Sequence, residues 1–448
     1  MNQAATEDYA EIVGESNCVA GAEVCTDFSV DGLVPRSVVF PCCEDQVARV
    51  LKRAAERGLA VIACGSGTKL GVGNAPRNYD LALSLGRMDR VRHFEPADLT
   101  ASVESGVKLG DFEDLLRPHG LWLPVDPPGS LRSTLGGIVA ANASGPLRLH
   151  YGSPRDFVLG LRIATTEGKI IKAGGKVVKN VAGYDLTRLL TGSFGTLGVI
   201  VEISLKLFPL PAHRATWRVM AAGLDVARQF RRSILQSPLA PMRMVLLDRG
   251  AAAIARGDDF PRPGDPFEIW IETGGSERVN RRFGETLGAI ADNARASADP
   301  IEPLETGVAE AAWNRIADFT AFRPPGEFVA VKASVPITSS EAFVELVGHE
   351  AEQAGARHAC FSQNGVGVVR ACLMGAQPDG RLVSSVARLR AEAVRRGGAL
   401  VVERASEEVK RALEAWGYEG SDLGVMSKIK RLWDPNGTLA PGRFVGGL

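Results

Sequence analysis

The chain has 448 residues, which is enough for two large domains or three smaller ones. Its 52 basic and 52 acidic side chains balance, which excludes the one-sided charge that nucleic-acid-binding and lipid-binding proteins present. Hydrophobic residues make up 45% and charged residues 23%, which excludes wholesale disorder. Glycine is the unusual residue type: of 50 glycines, 22 lie between residues 58 and 198.

The first residues and the cysteines and histidines narrow the class further. The start of the chain lacks the basic and apolar segments of a secretion signal, and no apolar run approaches the ~18 residues of a membrane span. We therefore expect a cytoplasmic protein that reaches a membrane only through partners. The seven cysteines and six histidines have neither iron–sulfur nor helical metal spacing, so no protein-held metal is predicted.

In chain order, the first clear unit is a β-α-β arrangement over residues 38–64. Apolar runs at 38–40 and 60–64 are typical of strands. Between them, apolar residues recur at the three- and four-residue spacing of an amphipathic helix. The second run leads directly into a glycine-rich loop at residues 65–73.

A second strong strand is predicted at 199–207, where apolar and polar residues alternate strictly. Two prolines at 209 and 211 then break the chain, and we place a domain boundary there. Beyond it, strand-like and helix-like runs are mixed in the way typical of an antiparallel sheet with helices on one side. The final amphipathic segment, 423–433, ends in an Asp-Pro-Asn-Gly turn.

The glycine-rich loop follows a buried strand, and the backbone amides of such a turn bind phosphate. A nicotinamide-type G-x-G-x-x-G motif fails because its third glycine comes one residue late, at Gly71. A P-loop fails because Lys69 is not followed by Ser or Thr. A pyrophosphate loop of another fold and a turn without a ligand both stay open from these residues alone.

Two further segments consist mainly of small residues, at 135–145 and at 192–198. A segment that only packs against protein normally fills its interior volume with larger side chains. Three small-residue segments spread over about 130 residues therefore indicate a long, extended ligand lying against the backbone.

Together these segments carry a family resemblance. The G-S-G-T loop, the L-G-G-x-x-A-x-N-A-S-G segment, Y-G-S-P-R-D at 151–156 and T-G-S-F-G-T-L-G-V-I occur in this order. They resemble the FAD-binding domain of the vanillyl-alcohol oxidase / p-cresol methylhydroxylase (PCMH) superfamily. Residues 176–186 are similar to the smaller FAD-binding subunit of bacterial glycolate oxidase, and residues 433–444 to the end of FAD-linked oxidases.

The resemblance implies an α+β protein with FAD as its cofactor. The expected order is an N-terminal arm (1–31), a two-part PCMH-type FAD-binding domain (32–211), an α+β cap with an antiparallel sheet (212–421), and a C-terminal helical tail (422–448) that packs back on the FAD domain. The residues implied in FAD binding are Gly65, Ser66, Gly67, Thr68, Lys69, Ser133, Thr134, Gly136, Gly137, Asn142, Gly145, Thr196, Gly198 and Val199. Thr68 or Lys69 stands where some members attach flavin through a histidine, so the FAD is predicted to be noncovalent.

The resemblance also implies oxidation of a small 2-hydroxy acid, such as glycolate or D-lactate, by hydride transfer to flavin N5. Arg323, Lys332 and Arg370 are candidates to bind the substrate carboxylate, and Tyr184 and His358 to accept its proton. Some larger relatives hold a metal on a histidine-rich strand, whereas the matching stretch 358–367 keeps one histidine.

Two other functions stay open. The chain is an FAD-linked oxidase or reductase for a sugar, an aldonolactone or an enolpyruvyl substrate, or it is a flavin-holding subunit that only relays electrons. In the glycolate-oxidase-like reading, its partners are a larger flavoprotein and an iron–sulfur subunit.

Overall fold

The computed structural model describes residues 2–175, 184–258, 266–296, 302–321, 324–375 and 379–448. Within them, a four-stranded and a five-stranded sheet occupy the first half of the chain, and a seven-stranded sheet occupies the second. The predicted α+β fold, a two-part first domain followed by a domain with an antiparallel sheet, is confirmed. Arg323 and most of the 176–186 stretch lie outside the described residues.

The first half contains eleven described strands and eight described helices. The strands are β1 (Cys18–Val19), β2 (Ser37–Val39), β3 (Val61–Cys64), β4 (Leu81–Ser84), β5 (Val91–Glu95), β6 (Thr100–Glu104), β7 (Leu121–Trp122), β8 (Val158–Ala164), β9 (Ile170–Gly174), β10 (Val199–Lys206) and β11 (Phe208–Pro209). The helices are α1 (Asn2–Val13), α2 (Ala22–Thr26), α3 (Glu44–Glu56), α4 (Leu109–Leu116), α5 (Leu135–Ala140), α6 (Arg148–Tyr151), α7 (Pro154–Phe157) and α8 (Leu186–Leu190).

The predicted β-α-β unit is β2, α3 and β3. In the four-stranded sheet, β4 lies between β2 and β3 and pairs in parallel with both. Helix α3 packs on this sheet because Val47, Val50, Leu51 and Ala54 form one apolar stripe that is completely buried. The parallel strands end together, so the loop after β3 emerges at the edge where parallel sheets commonly bind ligands.

The five-stranded antiparallel sheet has the order β5-β6-β10-β8-β9. Its central strand β10 was predicted from its alternation, and Val201, Ile203 and Leu205 are buried as expected. Helices α4 and α5 cover one face of the sheet, with Phe112 and Ile138 in the shared core. Helix α5 thereby lies between this core and the loop after β3.

The second half contains seven described strands and eight described helices. The strands are β12 (His213–Ala221), β13 (Arg243–Leu247), β14 (Phe267–Gly275), β15 (Phe328–Ser334), β16 (Arg357–Gln363), β17 (Val368–Met374) and β18 (Ala399–Ala405). The helices are α9 (Leu224–Gln236), α10 (Arg249–Arg256), α11 (Glu277–Ala294), α12 (Thr306–Ala317), α13 (Ser340–Gln353), α14 (Arg381–Arg395), α15 (Glu407–Ala412) and α16 (Leu423–Trp433).

These seven strands form one antiparallel sheet in the order β12-β14-β13-β16-β17-β15-β18. Helices α9, α11, α13 and α14 cover one face, which we call the outer face. Helices α10 and α12, which the sequence did not predict, cover part of the opposite, inner face through Trp270, Trp313 and Phe361. The prediction of helices on one side of this sheet was therefore incomplete. The rest of the inner face turns toward the first domain.

The last residues return to the first sheet. The Val61 amide donates to the Thr438 carbonyl at 2.7 Å, and the Ala440 amide donates back to Val61 at 2.9 Å. The buried Lys430 ammonium donates to the carbonyl of Thr196 at 2.8 Å and pairs with Asp434 at 2.6 Å. The tail thus joins α16 to the segment that begins β10.

Candidate active site between the FAD-binding domain and the cap

A narrow cleft lies between the loop after β3 and helix α5. Seven of the predicted cofactor residues line it, namely Gly65, Ser66, Gly67, Thr68, Lys69, Thr134 and Gly137. Thr134 caps α5, because its Oγ1 accepts a hydrogen bond from the Gly137 amide at 3.3 Å. The structure therefore brings together two segments that are about 70 residues apart in the sequence.

Helix α5 turns a face without large side chains toward this cleft. Gly137, Ala140 and Ala141 lie on that face at helical spacing and are only partly buried. Leu135 and Ile138 lie on the other side and are buried in the core. This face of α5 therefore leaves its backbone accessible from the cleft.

Some glycines of these segments have a different explanation. A β-carbon at Gly65 would lie 2.0 Å from the Thr134 Oγ1, and one at Gly145 would lie 2.0 Å from the Asp126 carbonyl oxygen. A β-carbon at Gly136 would lie 2.5 Å from the Cβ of Ser105. At these three positions the protein's own chain fills the space, so their small size does not by itself require a ligand.

Gly67 behaves differently from those glycines. Its φ is +75°, which favours glycine, and a β-carbon there would have only Leu70 nearby, at 3.5 Å. The Thr68 hydroxyl beside it is 3.0 Å from the Ser133 hydroxyl, which donates to the Gly129 carbonyl at 2.8 Å. The loop is thus held in place from behind, while its tip has the open space that a phosphate group needs.

The remaining predicted cofactor residues lie outside the lining of this cleft. Ser133 and Gly136 are buried behind it. Asn142 has a φ of 44° and accepts a hydrogen bond from the Arg155 amide at 3.2 Å. Thr196 lines a separate cavity of about 290 Å³ beside α16. Val199 is buried at the start of β10. A β-carbon at Gly198 would lie 2.5 Å from Ile163. Cofactor contacts by these residues and by Gly145 stay predictions.

A second group of functional side chains lies on the inner face of the seven-stranded sheet. Lys332 on β15 and Arg370 on β17 are directly opposite each other in the strand register. The Arg370 Nε lies 3.3 Å from the Glu403 carboxylate on β18, and its Nη2 donates to the Ser144 carbonyl at 3.1 Å. Because Ser144 follows α5, Arg370 joins the cap to the FAD-binding domain, and we call this group the seam cluster (Lys69, Lys332, Arg370 and Glu403).

Lys69 belongs to the seam cluster although it lies on the glycine-rich loop. Its ammonium donates to the Pro128 carbonyl. Burial lowers the pKa of Lys69 to about 8, with Glu403 working in the opposite direction. The lysine predicted to face the pyrophosphate is therefore coupled to charges of the cap, most directly to Glu403.

Lys332 is the cation of this cluster that is left without a partner. Among the residues that the structure describes, its ammonium has no hydrogen-bond or ion-pair partner. Burial lowers its pKa, Glu403 opposes that effect, and Arg370 and Arg148 add to it. The side chain is only partly buried, so an ammonium without a hydrogen-bond partner at this position is available to bind an anion.

Glu403 carries the compensating negative charge. Burial works against its ionisation, but the neighbouring cations, Arg370 foremost, outweigh burial and lower its pKa. Sequence reasoning missed this residue. Its place depends on a register shift in which Ala330 pairs with Arg404 but Val331 pairs with Val402, so Glu403 is the extra residue of a bulge.

The other catalytic candidates do not join this cluster. His358 pairs with Leu373, whose side chain packs under the outer helices, so His358 is on the outer face. Its Nε2 lies 3.4 Å from Asp248, and burial raises the pKa of that carboxyl. The Tyr184 side chain is 96% exposed. Arg323 lies outside the described residues.

In the described ranges, no group of three or more His, Cys, Asp or Glu side chains is arranged to hold a metal ion. None of the described helices is both long and apolar enough to cross a membrane.

Comparisons with known proteins bear on both halves of this site. Residues 35–174 match the family described as FAD binding domain, and residues 210–444 match the C-terminal domain of FAD linked oxidases. The glycolate oxidase subunit GlcD of Bacillus subtilis is 28% identical over 420 residues, which cover 92% of this chain and 89% of that protein. The mitochondrial D-lactate dehydrogenase [cytochrome] of Arabidopsis thaliana is 26% identical over 92% of this chain and 74% of its own length.

A shorter match, to a second glycolate oxidase subunit, has a higher sequence identity. Glycolate oxidase subunit GlcE of Escherichia coli is 48% identical over 120 residues, which cover 27% of this chain and 34% of that protein. Among solved structures, p-cresol methylhydroxylase with substrate bound has a TM-score of 0.76 at 16% identity, covering 98% of this chain and 96% of that one. The C-terminal family match alone spans more than half of the chain. The cleft has an open loop and a helix face without large side chains, which suits a dinucleotide. The chain therefore belongs to the FAD-linked oxidase family, with a PCMH-type FAD-binding domain, and it is an FAD-dependent oxidoreductase.

Proposed function

We propose that this enzyme oxidises a small 2-hydroxy acid, such as glycolate or D-lactate, whose carboxylate binds at the seam cluster. One observation carries the proposal: on the inner face of the cap sheet, opposite Arg370, Lys332 presents an ammonium that makes no hydrogen bond or ion pair with any residue the structure describes. The names of the relatives support it, since they include a glycolate oxidase subunit and a D-lactate dehydrogenase. Oxidation of a sugar or an aldonolactone would not require such a cation.

Lys332 is the primary carboxylate ligand in this proposal. Two of the donor groups of Arg370 are already engaged by Glu403 and the Ser144 carbonyl. Arg370 therefore contributes positive charge and holds the cap against the FAD-binding domain. A charge-assisted hydrogen bond from the lysine contributes about 1.5–3 kcal/mol to binding.

FAD supplies the hydride acceptor when it is bound. The loop around Gly67 would hold its pyrophosphate through backbone amides, and Gly137 and Ala140 would lie against its flat portion. We further propose that the FAD is noncovalent, which acid precipitation tests: the flavin is expected in the supernatant, and flavin left on the pellet would contradict it. Tyr184 and His358 do not belong to the proposed site, because one is in solvent and the other is on the outer face.

We further propose that the chain acts in a complex, in which bound FAD would pass its electrons to a partner protein. The support is that the relatives GlcD and GlcE are both named as subunits of glycolate oxidase. A larger flavoprotein and an iron–sulfur protein are the expected partners, in the cytoplasm or at a membrane surface. Purification of the chain from its own cells tests this, since these partners are expected to copurify with it.

A substrate panel tests the proposed function. The FAD-loaded protein is mixed anaerobically with glycolate, with D-lactate and L-lactate, with a sugar lactone and with NADPH, and the flavin absorbance is followed. We expect at least one of the 2-hydroxy acids, glycolate or a lactate, to bleach the flavin absorbance. Bleaching by NADPH or by the lactone, with none by the hydroxy acids, would refute the proposal. No bleaching by any of them would favour an electron-relay subunit.

A further inference from the structure

The seam cluster contains one anion among three cations, and that anion is not required to bind a negatively charged substrate. Glu403 would by simple charge repulsion weaken the binding of a carboxylate. Its position is nevertheless specific, because a bulge places it as the extra residue of β18 opposite β15. Bulges often serve to re-aim a side chain near a functional site.

Glu403 contacts one cation of the seam cluster and acts on the other two through its charge. The Arg370 Nε lies 3.3 Å from its Oε2. Its charge works to keep Lys332 and Lys69 protonated against the effect of burial. Thr320 donates a hydrogen bond to its carboxylate from the turn that follows α12.

The other charges around the two lysines are also known. Lys332 faces Arg370 and Arg148, and both favour loss of its proton. Lys69 faces Arg404 and Arg370, which act in the same direction, and Asp318, which opposes them more weakly than Glu403 does. Glu403 is thus the foremost group opposing proton loss at both lysines.

We propose that Glu403 is a positioning residue, which aims the Arg370 guanidinium along the seam and balances the positive charge of the seam cluster so that Lys332 can receive a carboxylate. This role deepens the proposed function and rests on it for the identity of the substrate. The ionisation of Lys332 is, however, a property of the protein alone. It is therefore measurable whether or not a 2-hydroxy acid is oxidised.

The test measures the pKa of Lys332 directly. The FAD-loaded wild type and its Glu403→Gln variant are labelled with trace acetic anhydride across pH, and acetylation of Lys332 is quantified by mass spectrometry. Removal of the neighbouring negative charge is expected to lower the pKa of Lys332 by about one unit or more. An unchanged value would overturn the proposal.

Glu341→Gln is the matched control. Glu341 forms a buried pair with Arg231, at 2.6 Å and 3.1 Å, between the outer helices α9 and α13. It is expected to leave the pKa of Lys332 unchanged, and an equal shift in this control would show a general loosening and refute the specific role. Glu403→Asp keeps the charge and is expected to hold the pKa of Lys332 within about half a unit of wild type. A full shift in Glu403→Asp would contradict the proposal even if Glu403→Gln fails to fold.

Binding of oxalate, a carboxylate that carries no oxidisable hydroxyl, gives the second measurement. In Glu403→Gln, calorimetry is expected to show near-normal or tighter binding at about pH 6 and at least tenfold weaker binding at about pH 9, because the lysine loses its proton earlier. Binding weakened equally at both pH values would indicate a merely structural role and overturn the inference. Failure of the substrate panel with this pH shift intact would instead reject only the proposed substrate.

Discussion

Replacing Lys332 by methionine separates carboxylate recognition from folding. Lys332 lies on the inner face of the cap sheet, and within the described part of the chain its ammonium has no partner. Methionine keeps most of the side-chain volume and removes the charge. The lost charge-assisted hydrogen bond is worth about 1.5–3 kcal/mol, which corresponds to roughly 10- to 150-fold weaker binding of a 2-hydroxy acid or of oxalate.

The stability of the same variant gives the complementary measurement. Since Lys332→Met breaks no ion pair, we expect the free energy of unfolding to change by less than about 1 kcal/mol, or to increase. Lys430→Met is the matched control, because Lys430 is buried and bonds to Asp434 and to the carbonyls of Thr196 and Leu439. Breaking that pair is expected to cost about 3–5 kcal/mol.

Calorimetric titration with oxalate and urea unfolding together measure both effects. Binding by Lys332→Met within about threefold of wild type would refute Lys332 as the carboxylate ligand. A loss of stability as large as that of Lys430→Met would show that Lys332 has a structural partner and would refute the reasoning from its unpaired ammonium.

Three further predictions concern the cleft, the seam and the outer face. Gly67→Val is expected to yield protein with little flavin, and full flavin content in this variant would reject the loop assignment. The control is Gly58→Val, which has a similar backbone strain at a φ of +65° but lies outside the cleft. It is expected to keep its flavin and to lose only about 1–2 kcal/mol of stability. Burial raises the pKa of Asp126 to about 6. Because the folded state then holds this proton more tightly than the unfolded state, the free energy of unfolding is expected to fall by up to about 3 kcal/mol, relative to an Asp126→Asn variant, as pH rises from about 4 through 6. A difference between the two proteins that does not change with pH would contradict this. His358→Ala is expected to leave the KM for the hydroxy acid within about twofold, since it alters only the outer face, and a tenfold rise would return His358 to the site.

The elements that could be predicted from the sequence are those with strong local patterns. Helix α3 and strand β10 carry clean periodicities, and the glycine-rich loop follows a buried strand, so their places are evident from neighbouring residues alone. Strand β16 and helix α5 were missed. The first has no clean periodicity, because the buried polar residues Ser362 and Gln363 interrupt it although it is the central strand of the cap sheet. The second is short and rich in small residues.

The candidate site was predictable only in part, for a related reason. Lys332 and Arg370 were candidates by residue type, but their pairing across β15 and β17 depends on a strand order that no local pattern specifies. Glu403 had no signal, because its position results from a bulge. Gly136 and Gly145 show the limit most clearly, since a small residue in the sequence does not reveal whether a ligand or Ser105 and Asp126 lie against it.

The central claim is that FAD and a substrate carboxylate meet where the cleft of the FAD-binding domain faces the cap sheet. The most direct measurement is a crystal structure of the FAD-loaded protein with oxalate. The account predicts the pyrophosphate against the loop at Gly67, and one oxalate carboxylate within hydrogen-bond distance of the Lys332 Nζ. Oxalate bound elsewhere, with Lys332 still unpaired beside an ordered flavin, would contradict it.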